Sequence, residues 1–291
     1  MKKTIIALCV VFTLMISVGL VVASAKNQNQ KFNLPKHAVE VSPGVFYLGK
    51  TIDKGKVVEG YAFMIRDKEK FAKPGTVCGN GICEPGENIN KCPLDCGGGE
   101  DPTEPDTSSC YGFLSKGAKW KSVENYIVNT NNEDGLSEGF ITGNLADSIV
   151  KWETAANYDI LGTGSSTNET LVADFYTTDN KNEVYFDDLG ASDTIAFTVV
   201  WGIFGGRPSN RELVEWDMVF NDNFIWGDAT INSSVMDFEN IATHELGHAV
   251  GMDDLYNSAC SDQTMYGYSW NGDISKRDLA SGDIAGIRAL Y

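Results

Sequence analysis

Hydrophobic positions recur with two different periods along the chain, and the change of period predicts which segments are helices and which are strands. Leu145, Ile149, Trp152 and Ala156 follow the spacing of one helical face, so we expect an amphipathic helix over residues 142–158. Runs of β-branched and aromatic residues separated by Gly, Asp and Asn are typical of strands. Such runs lie at 120–129, 171–176, 184–186, 194–201 and 213–220. With two more helices expected near the C-terminus, residues 110–291 are predicted to form an α+β domain with a mixed sheet.

Residues 26–74 form a separate N-terminal segment with its own strand-like pattern. Apolar runs at 45–48, 57–58 and 61–65 are interrupted by turn signals such as Pro43-Gly44. The pattern indicates short strands. These suit either a pro-segment or a small accessory sheet, and the sequence leaves both open.

The first 25 residues have the order of charged and apolar residues that is typical of a secretory signal peptide. Lys2 and Lys3 precede an almost wholly apolar run over 4–22, and Ala23-Ser24-Ala25 then supplies small residues for cleavage. A permanent membrane anchor is the alternative, because the run approaches the length of a span. The cleavage pattern favours removal, so we predict a secreted protein without stable membrane insertion.

The overall charge excludes one class of partner. Hydrophobic residues make up 42% of the 291 residues, which is enough for a sizeable core. The 40 acidic and 23 basic residues give a formal net charge of −17. A chain this acidic repels phosphate backbones, so we expect no nucleic-acid partner.

A cysteine-rich stretch lies at residues 75–97, and a Gly-, Pro- and acid-rich linker follows at 98–109. The stretch contains Cys78, Cys83, Cys92 and Cys96. Its pattern, CGNGxCExGE…CPxDC, resembles a small repeat of secreted microbial proteins. This implies two local disulfides whose pairing is open. A four-thiolate zinc site is the alternative, although the spacings are wider than those of the usual CxxC pairs.

The chain contains only three histidines, and two of them belong to one motif. His244 and His248 are four residues apart in a segment with helical spacing, so both imidazoles leave the same face and can bind one ion. Glu245 lies one step round the helix, where its carboxylate can act as a general base beside the ion. This is the HExxH pattern of zinc peptidases. A helix whose histidines only cap or form hydrogen bonds is the alternative.

The residues that follow extend the motif to HExxHxxGxxD. Gly251 can supply a left-handed turn three residues after His248, and Asp254 stands where a third ligand is expected. This stretch resembles the zinc signature of metzincins, whose last position is usually His. Met265 resembles the methionine of their Met-turn.

Two further segments resemble matrixins. Residues 215–226 are similar to the strand that precedes the active-site helix, and residues 277–291 to the closing helix, so the likeness covers about 110–291. It implies a zinc metalloendopeptidase with one catalytic Zn²⁺ held by His244, His248 and Asp254. It also implies that Glu245 is the general base. Asp253 is the alternative third ligand. The region has too few histidines for the structural zinc of vertebrate matrixins.

The same resemblance carries two expectations about the surroundings of the site. The strand at 194–201 is expected to be the edge strand that pairs with an extended substrate. Asp187, Asp188 and Asp193 form an acidic loop that is either solvated or a Ca²⁺ site.

Cys110 and Cys260 remain, at either end of the catalytic region, and we predict a disulfide between them. The expected partner is a protein or peptide substrate outside the cell, and the expected state is a monomer. A secreted binding or scaffold protein with an inactive metzincin-like domain and a zinc hydrolase of non-peptide substrates are the alternatives. The intact HExxH favours an enzyme, and the Met-turn favours a peptidase.

Overall fold

The computed structural model describes residues 34–68 and 107–291, which all belong to the unit Lys31–Tyr291. The predicted signal peptide over 1–25 and the cysteine-rich stretch over 75–97 lie outside the described residues. The same is true of Cys78, Cys83, Cys92 and Cys96, and of most of the linker over 98–109.

Helices and strands follow each other along the described chain in the order of a mixed fold. The strands are β1 (Val39–Ser42), β2 (Val45–Asp53), β3 (Lys56–Asp67), β4 (Glu124–Val128), β5 (Leu161–Ser166), β6 (Glu183–Asp187), β7 (Thr194–Ile203), β8 (Glu212–Asn221), β9 (Trp226–Gly227), β10 (Met236–Asp237) and β11 (Tyr268–Ser269). The α-helices are α1 (Glu138–Ala156), α2 (Phe238–Ala249) and α3 (Ser281–Leu290).

One mixed sheet organises these elements. Its strand order is β1-β2-β3-β7-β8-β6-β4-β5, and β11 adds beside β3. Strands β5, β4, β6 and β8 run parallel to one another, whereas β7 runs antiparallel to β8. The predicted α+β class with a mixed sheet is therefore confirmed.

Helix α1 begins earlier than its apolar spacing predicts. The Ser137 side chain accepts a hydrogen bond from the Phe140 backbone N–H, so the helix starts at Glu138. It ends at Ala156 because Asn157 adopts a left-handed conformation with φ of 52°. The four residues whose spacing predicted the apolar face, Leu145, Ile149, Trp152 and Ala156, are all buried.

The prediction of a strand over 171–176 is wrong. Strand β5, which was not predicted, pairs with β4 at the end of the sheet. Residues 171–176 form a loop that contacts side chains of β7 and β8. The Asp174 backbone N–H donates to the Asp217 carboxylate, and the Asp174 carbonyl accepts from the Trp201 indole. Strand β5 has the sequence LGTGSS, whose single β-branched residue and two glycines are a weak strand signal. Its pairing with β4 is what makes it a strand.

The main core fills the space between the sheet and the helices. Trp152 of α1, Phe238 and Leu246 of α2, and Ile287 of α3 are fully buried there. A second apolar cluster lies elsewhere along β2, β3 and β7 and includes Leu48, Val58, Ala62, Phe197 and Trp201. Strand β7 is buried along nearly its whole length because both clusters use it.

The expectation that 194–201 is an edge strand is wrong for the described sheet. Strand β7 has a neighbour on each side, β8 from the catalytic region and β3 from the N-terminal segment. The pairs Ala62↔Val199 and Ile65↔Ala196 set an antiparallel register between β3 and β7. The N-terminal strands are thus continuous with the catalytic sheet.

A disulfide joins Cys110 to Cys260 across 150 positions of the chain. It ties the start of the catalytic region to the turn that precedes Met265. Among the helices of the described residues, none is sufficiently long and apolar to cross a membrane.

Candidate metal centre

Helix α2 presents His244, Glu245 and His248 to the interior beneath the sheet. The Asp237 side chain caps the helix by accepting a hydrogen bond of 2.8 Å from the Asn240 backbone N–H. All three site residues are 0% exposed. The two imidazole rings stand nearly perpendicular, with centroids 5.0 Å apart, and their Nε2 atoms converge on one point.

A sharp turn after α2 brings Asp254 back to the histidines. Gly251 has a φ of +105°, which side-chain-bearing residues rarely adopt, and a Cβ there would lie 2.9 Å from Leu290. After this turn, Asp254 Oδ1 lies 3.3 Å from His244 Nε2 and 3.5 Å from His248 Nε2.

These three atoms fit a tetrahedral zinc ion. Two ligand atoms that each lie about 2.0–2.1 Å from a tetrahedral zinc are about 3.3–3.4 Å apart. The separations from Asp254 to the two histidines match this spacing. His244 Nε2, His248 Nε2 and Asp254 Oδ1 are also buried without any hydrogen-bond partner, which is costly unless an ion binds them.

Backbone carbonyl groups hold both imidazoles in the tautomer that a metal needs. His244 Nδ1 donates to the Thr264 carbonyl at 2.7 Å, and His248 Nδ1 donates to the Met252 carbonyl at 3.0 Å. Each Nε2 is then left with a free lone pair directed at the site. Asp283 of α3 in turn accepts from the Thr264 and Met265 backbone N–H groups, so the closing helix fixes the turn.

The structure separates the two candidate aspartates. Asp254 points at the histidines, and its Oδ2 accepts a hydrogen bond of 2.9 Å from the Tyr256 hydroxyl. Asp253 instead turns back, where its Oδ1 accepts from the Asp254 backbone N–H. Asp253 belongs to neither of the groups of converging ligand atoms among the described residues.

The charges at the site favour an ionised Asp254. Burial by itself raises the pKa of this carboxyl, but His248 and His244 hold it well below its usual range. Burial lowers the pKa of His244. Burial also acts to lower the pKa of His248, but the Asp254 carboxylate outweighs it and raises the pKa to about 9 without a metal. A bound cation would replace that proton.

Glu245 lies beside the three converging atoms rather than among them. Burial raises the pKa of its carboxyl to about 8, although His248 and a hydrogen bond from Thr198 act in the opposite direction. The Thr198 hydroxyl donates to Glu245 Oε2 at 2.5 Å. A carboxyl whose pKa lies near neutrality is suited to accept and return a proton.

Met265 lies directly under α2. It is 0% exposed, and a Cβ at Gly247 would collide with its Sδ atom. The glycine therefore lets the helix approach the turn closely enough for the Thr264 carbonyl to reach His244.

A second group of acidic side chains converges outside this centre. Asp174, Glu215 and Asp217 have carboxylate oxygens within 4.8 Å of one another. Burial raises the pKa of Glu215 to about 9 and also raises that of Asp217. The sequence missed this group because Asp174 lies about 40 residues from the other two. Asp187, Asp188 and Asp193, the acidic loop named from the sequence, do not converge in this way.

Thr198, Tyr256 and the carbonyl groups of Thr264 and Met252 also contribute to the site without any signal in the sequence. A hydroxyl residue on a strand or a tyrosine in a loop carries no spacing signal. Their roles depend on distances that only the folded chain sets.

Comparison with protein families gives one match, which covers most of the sheet and all three helices of the described chain. The family model of the matrixins matches residues 119–291, which is more than half of the chain. No curated protein matches the chain. The match spans the sheet from β4 onward, helix α2 with its histidines, and the closing helix. The chain therefore belongs to the matrixin family of zinc metalloproteases.

Proposed function

We propose that this protein is a secreted zinc-dependent metalloendopeptidase that hydrolyses peptide bonds of proteins outside the cell. One observation carries the proposal. The three unpartnered, buried atoms of His244, His248 and Asp254 have the spacing of zinc ligands, and the Glu245 carboxylate lies next to them.

His244 Nε2, His248 Nε2 and Asp254 Oδ1 would hold the ion. Zinc held by three protein ligands lowers the pKa of a bound water to about 7 and polarises a carbonyl group. The hydrogen bonds from Nδ1 of each histidine and from Tyr256 to Asp254 orient the ligands before the ion arrives.

Glu245 moves the proton. Its carboxylate accepts a proton from the attacking water and then donates it to the nitrogen of the leaving amine. Thr198 holds Oε2 in place for both transfers. Burial excludes bulk water around the carboxylate, which keeps its pKa near neutrality.

Secretion rests on the sequence of residues 1–25. The basic start, the apolar run and the small residues at 23–25 support an exported protein. An oxidising compartment is also where a disulfide such as Cys110–Cys260 persists.

Glu245→Gln tests the proposed function. The variant keeps the shape of the side chain but cannot accept a proton, so we expect it to retain zinc and to lose peptidase activity by about 10²–10⁴-fold. The assay is the cleavage of casein and a fluorogenic peptide, with the N-terminus intact and after trimming by limited proteolysis. Zinc content is measured on the same samples.

Glu239→Gln on the same helix is the matched control, because the Glu239 carboxylate pairs with Lys151 and Arg277 and not with the site. It should leave cleavage unchanged. Full activity of Glu245→Gln, or cleavage that survives complete removal of zinc, would contradict the proposal.

A further inference from the structure

A second concave surface lies on a different side of α1 from the metal centre. It is a groove of about 750 Å³ that continues into a space of about 470 Å³ between α1 and the strands β4 and β5. Ser148 and Trp152 of α1 instead form hydrogen bonds with Thr243 of α2. None of the residues that line the groove belongs to the metal centre.

The groove is apolar at its floor and at its rim. The buried side chains of Tyr126, Val128 and Ile149 form the floor. At the rim, Val123 is 51% exposed and Val150 is 57% exposed, and both line the two parts of the groove. Exposed apolar side chains beside a cavity are typical of a surface that binds a partner.

Strand β5 forms one wall of the groove and is an edge of the sheet. It pairs with β4 on one side, and the described sheet has no strand on its other side. Natural edge strands are commonly protected against a further strand by charged residues or proline. The sequence of β5 contains neither, and Gly162 and Gly164 line the groove without a side chain that would cover the backbone. An extended segment can therefore add to β5 and turn alternate side chains toward α1.

The charge of the groove indicates the kind of segment that fits. Glu153 and Asp159 line both parts of the groove, whereas no Lys, Arg or His is among the described residues that line it. Glu153 accepts hydrogen bonds from the backbone N–H groups of Ile160 and Leu161, which fixes its carboxylate at the start of β5. Asp159 is exposed beside it. Two carboxylates next to apolar side chains favour a partner that carries both apolar and basic side chains.

We propose that this groove docks an extended peptide segment, which adds to β5 as a further strand and turns apolar and basic side chains toward α1. The apolar side chains pack against Val123 and Val150, and the basic side chains pair with Glu153 and Asp159. Backbone hydrogen bonds to β5 supply affinity, and the side-chain positions supply specificity. The docking site goes beyond the proposed peptidase function, because no step of cleavage uses these residues.

A pair of labelled peptides tests the site on the full-length Glu245→Gln protein, which should not cleave them. The probe Val-Thr-Lys-Thr-Val-Thr-Lys-Thr places Val and Lys on one face of a strand, and Val-Thr-Glu-Thr-Val-Thr-Glu-Thr is the control of opposite charge. We expect the Lys probe to bind about tenfold more tightly than the Glu probe in fluorescence anisotropy. Equal affinities, or no binding of the Lys probe, would contradict the proposal.

Val123→Ser/Val150→Ser tests whether the groove is the surface that binds the Lys probe. Both side chains are exposed, so the fold should tolerate the change, and we expect the affinity to fall about tenfold. Val172→Ser/Ile231→Ser is the matched control, because these side chains are 67% and 86% exposed and lie outside the groove. An equal loss in both variants would mean that the probe binds elsewhere.

Asp159→Lys tests the charge of the groove. Asp159 is exposed, so its replacement should leave the fold intact. We expect the preference for the Lys probe over the Glu probe to fall by about tenfold, since a like charge then faces the basic side chain. An unchanged preference would show that the groove does not select the charge of its partner.

Binding and cleavage are measured separately, so the two proposals fail separately. If the Lys probe binds in the groove but the wild type cleaves no peptide, the docking site stands and the peptidase function is wrong. If the wild type cleaves peptides but Glu245→Gln does not bind the Lys probe, the peptidase function stands and the docking site is wrong.

N-methylated forms of the Lys probe test the addition to β5. The backbone N–H groups of alternate residues in a strand point to the same edge, so methyl groups on the Thr nitrogens block one edge of the probe. Methyl groups on the Val and Lys nitrogens block the other edge. We expect one form to lose about tenfold in affinity and the other to bind like the unmodified probe, because only one edge meets β5. Equal affinities of the two forms would overturn strand addition.

Discussion

Asp253 and Asp254 are neighbours in the chain, yet only Asp254 reaches the two histidines. The turn at Gly251 decides between them, because it sets which of two successive side chains faces the site. Spacing within HExxHxxGxxD indicated Asp254 but left Asp253 open. Tyr256, which holds the second oxygen of Asp254, had no signal in the sequence.

Removing each aspartate in turn measures this difference. We expect Asp254→Ala to lower zinc affinity by more than the roughly 10–100-fold that changes to outer-shell groups cost. Asp253→Ala should stay within that range, because Asp253 only accepts a hydrogen bond from the Asp254 backbone. Zinc affinity is measured by competition with a chromogenic chelator. Stronger loss in Asp253→Ala would reverse the assignment.

Helix α2 depends on the close approach of its middle to the Met265 turn. Gly247 provides that approach, since a Cβ there would also lie 2.8 Å from the Trp152 ring of α1. A glycine inside a helix costs about 0.5–1 kcal/mol relative to alanine. The helix carries this cost at the position where it crosses both α1 and the turn.

Gly247→Ala should therefore destabilise the protein although alanine favours helices. Overpacking in a filled core costs about 1–3 kcal/mol. Gly143→Ala on α1 is the matched control, because no atom lies within 4 Å of its Cβ position, and it should stabilise the protein by about 0.5–1 kcal/mol. Urea unfolding of both variants checks the two signs. Equal effects would mean that the turn below α2 yields to the extra methyl group.

Strand β8 contributes a second polar feature, the buried carboxyl group of Glu215 beside Asp174 and Asp217. Burial raises its pKa to about 9 from an ordinary value of 4.5. The folded state thus binds a proton more tightly than the unfolded chain. The contribution of this group to stability is complete below pH 4.5 and is lost as the pH rises toward 9.

We expect the free energy of unfolding to fall between pH 6 and 8.5 in metal-free buffer, by up to about 1.4 kcal/mol per pH unit from this group. Glu215→Gln cannot ionise and should remove this part of the fall. Ca²⁺ at pH 8.5 should restore stability to the wild type, since carboxylate oxygens are its preferred ligands. Denaturant unfolding at the two pH values gives the difference. The same slope in both proteins would show that Glu215 does not titrate in this range.

At the scale of the whole molecule, the disulfide joins Cys110, at the start of the catalytic region, to Cys260, which lies just before the Met265 turn. It encloses strands β4 to β10 and helix α2 within one covalent loop. Closing a long loop restricts the unfolded chain more than closing a short one. The cross-link also anchors the segment between Asp254 and Met265.

Cys110→Ser/Cys260→Ser is expected to lower the free energy of unfolding by about 2–4 kcal/mol. The measurement is denaturant unfolding of the zinc-loaded proteins. The wild type under a reducing phosphine is the control and should lose a similar amount. An unchanged midpoint in both would mean that packing alone holds the ends of the region together.

The sequence by itself determined the α+β class, the helix that carries His244, Glu245 and His248, and the turn that returns an aspartate. These features depend on contacts within about a dozen residues, so spacing and residue type report them directly. The strand predictions from the sequence were wrong at β5 and at residues 171–176. There the choice between strand and loop depends on a distant partner rather than on local propensity.

Only the tertiary structure decided where the N-terminal segment lies. Residues 26–74 read equally well as a pro-segment or as an accessory sheet, because a strand pattern does not say with which strand it pairs. The pairing of β3 with β7 joins positions that are between 128 and 143 residues apart. Burial of Phe63 and Ile65 against the main core selects that pairing. It is a long-range packing choice, and no spacing rule within the chain encodes it.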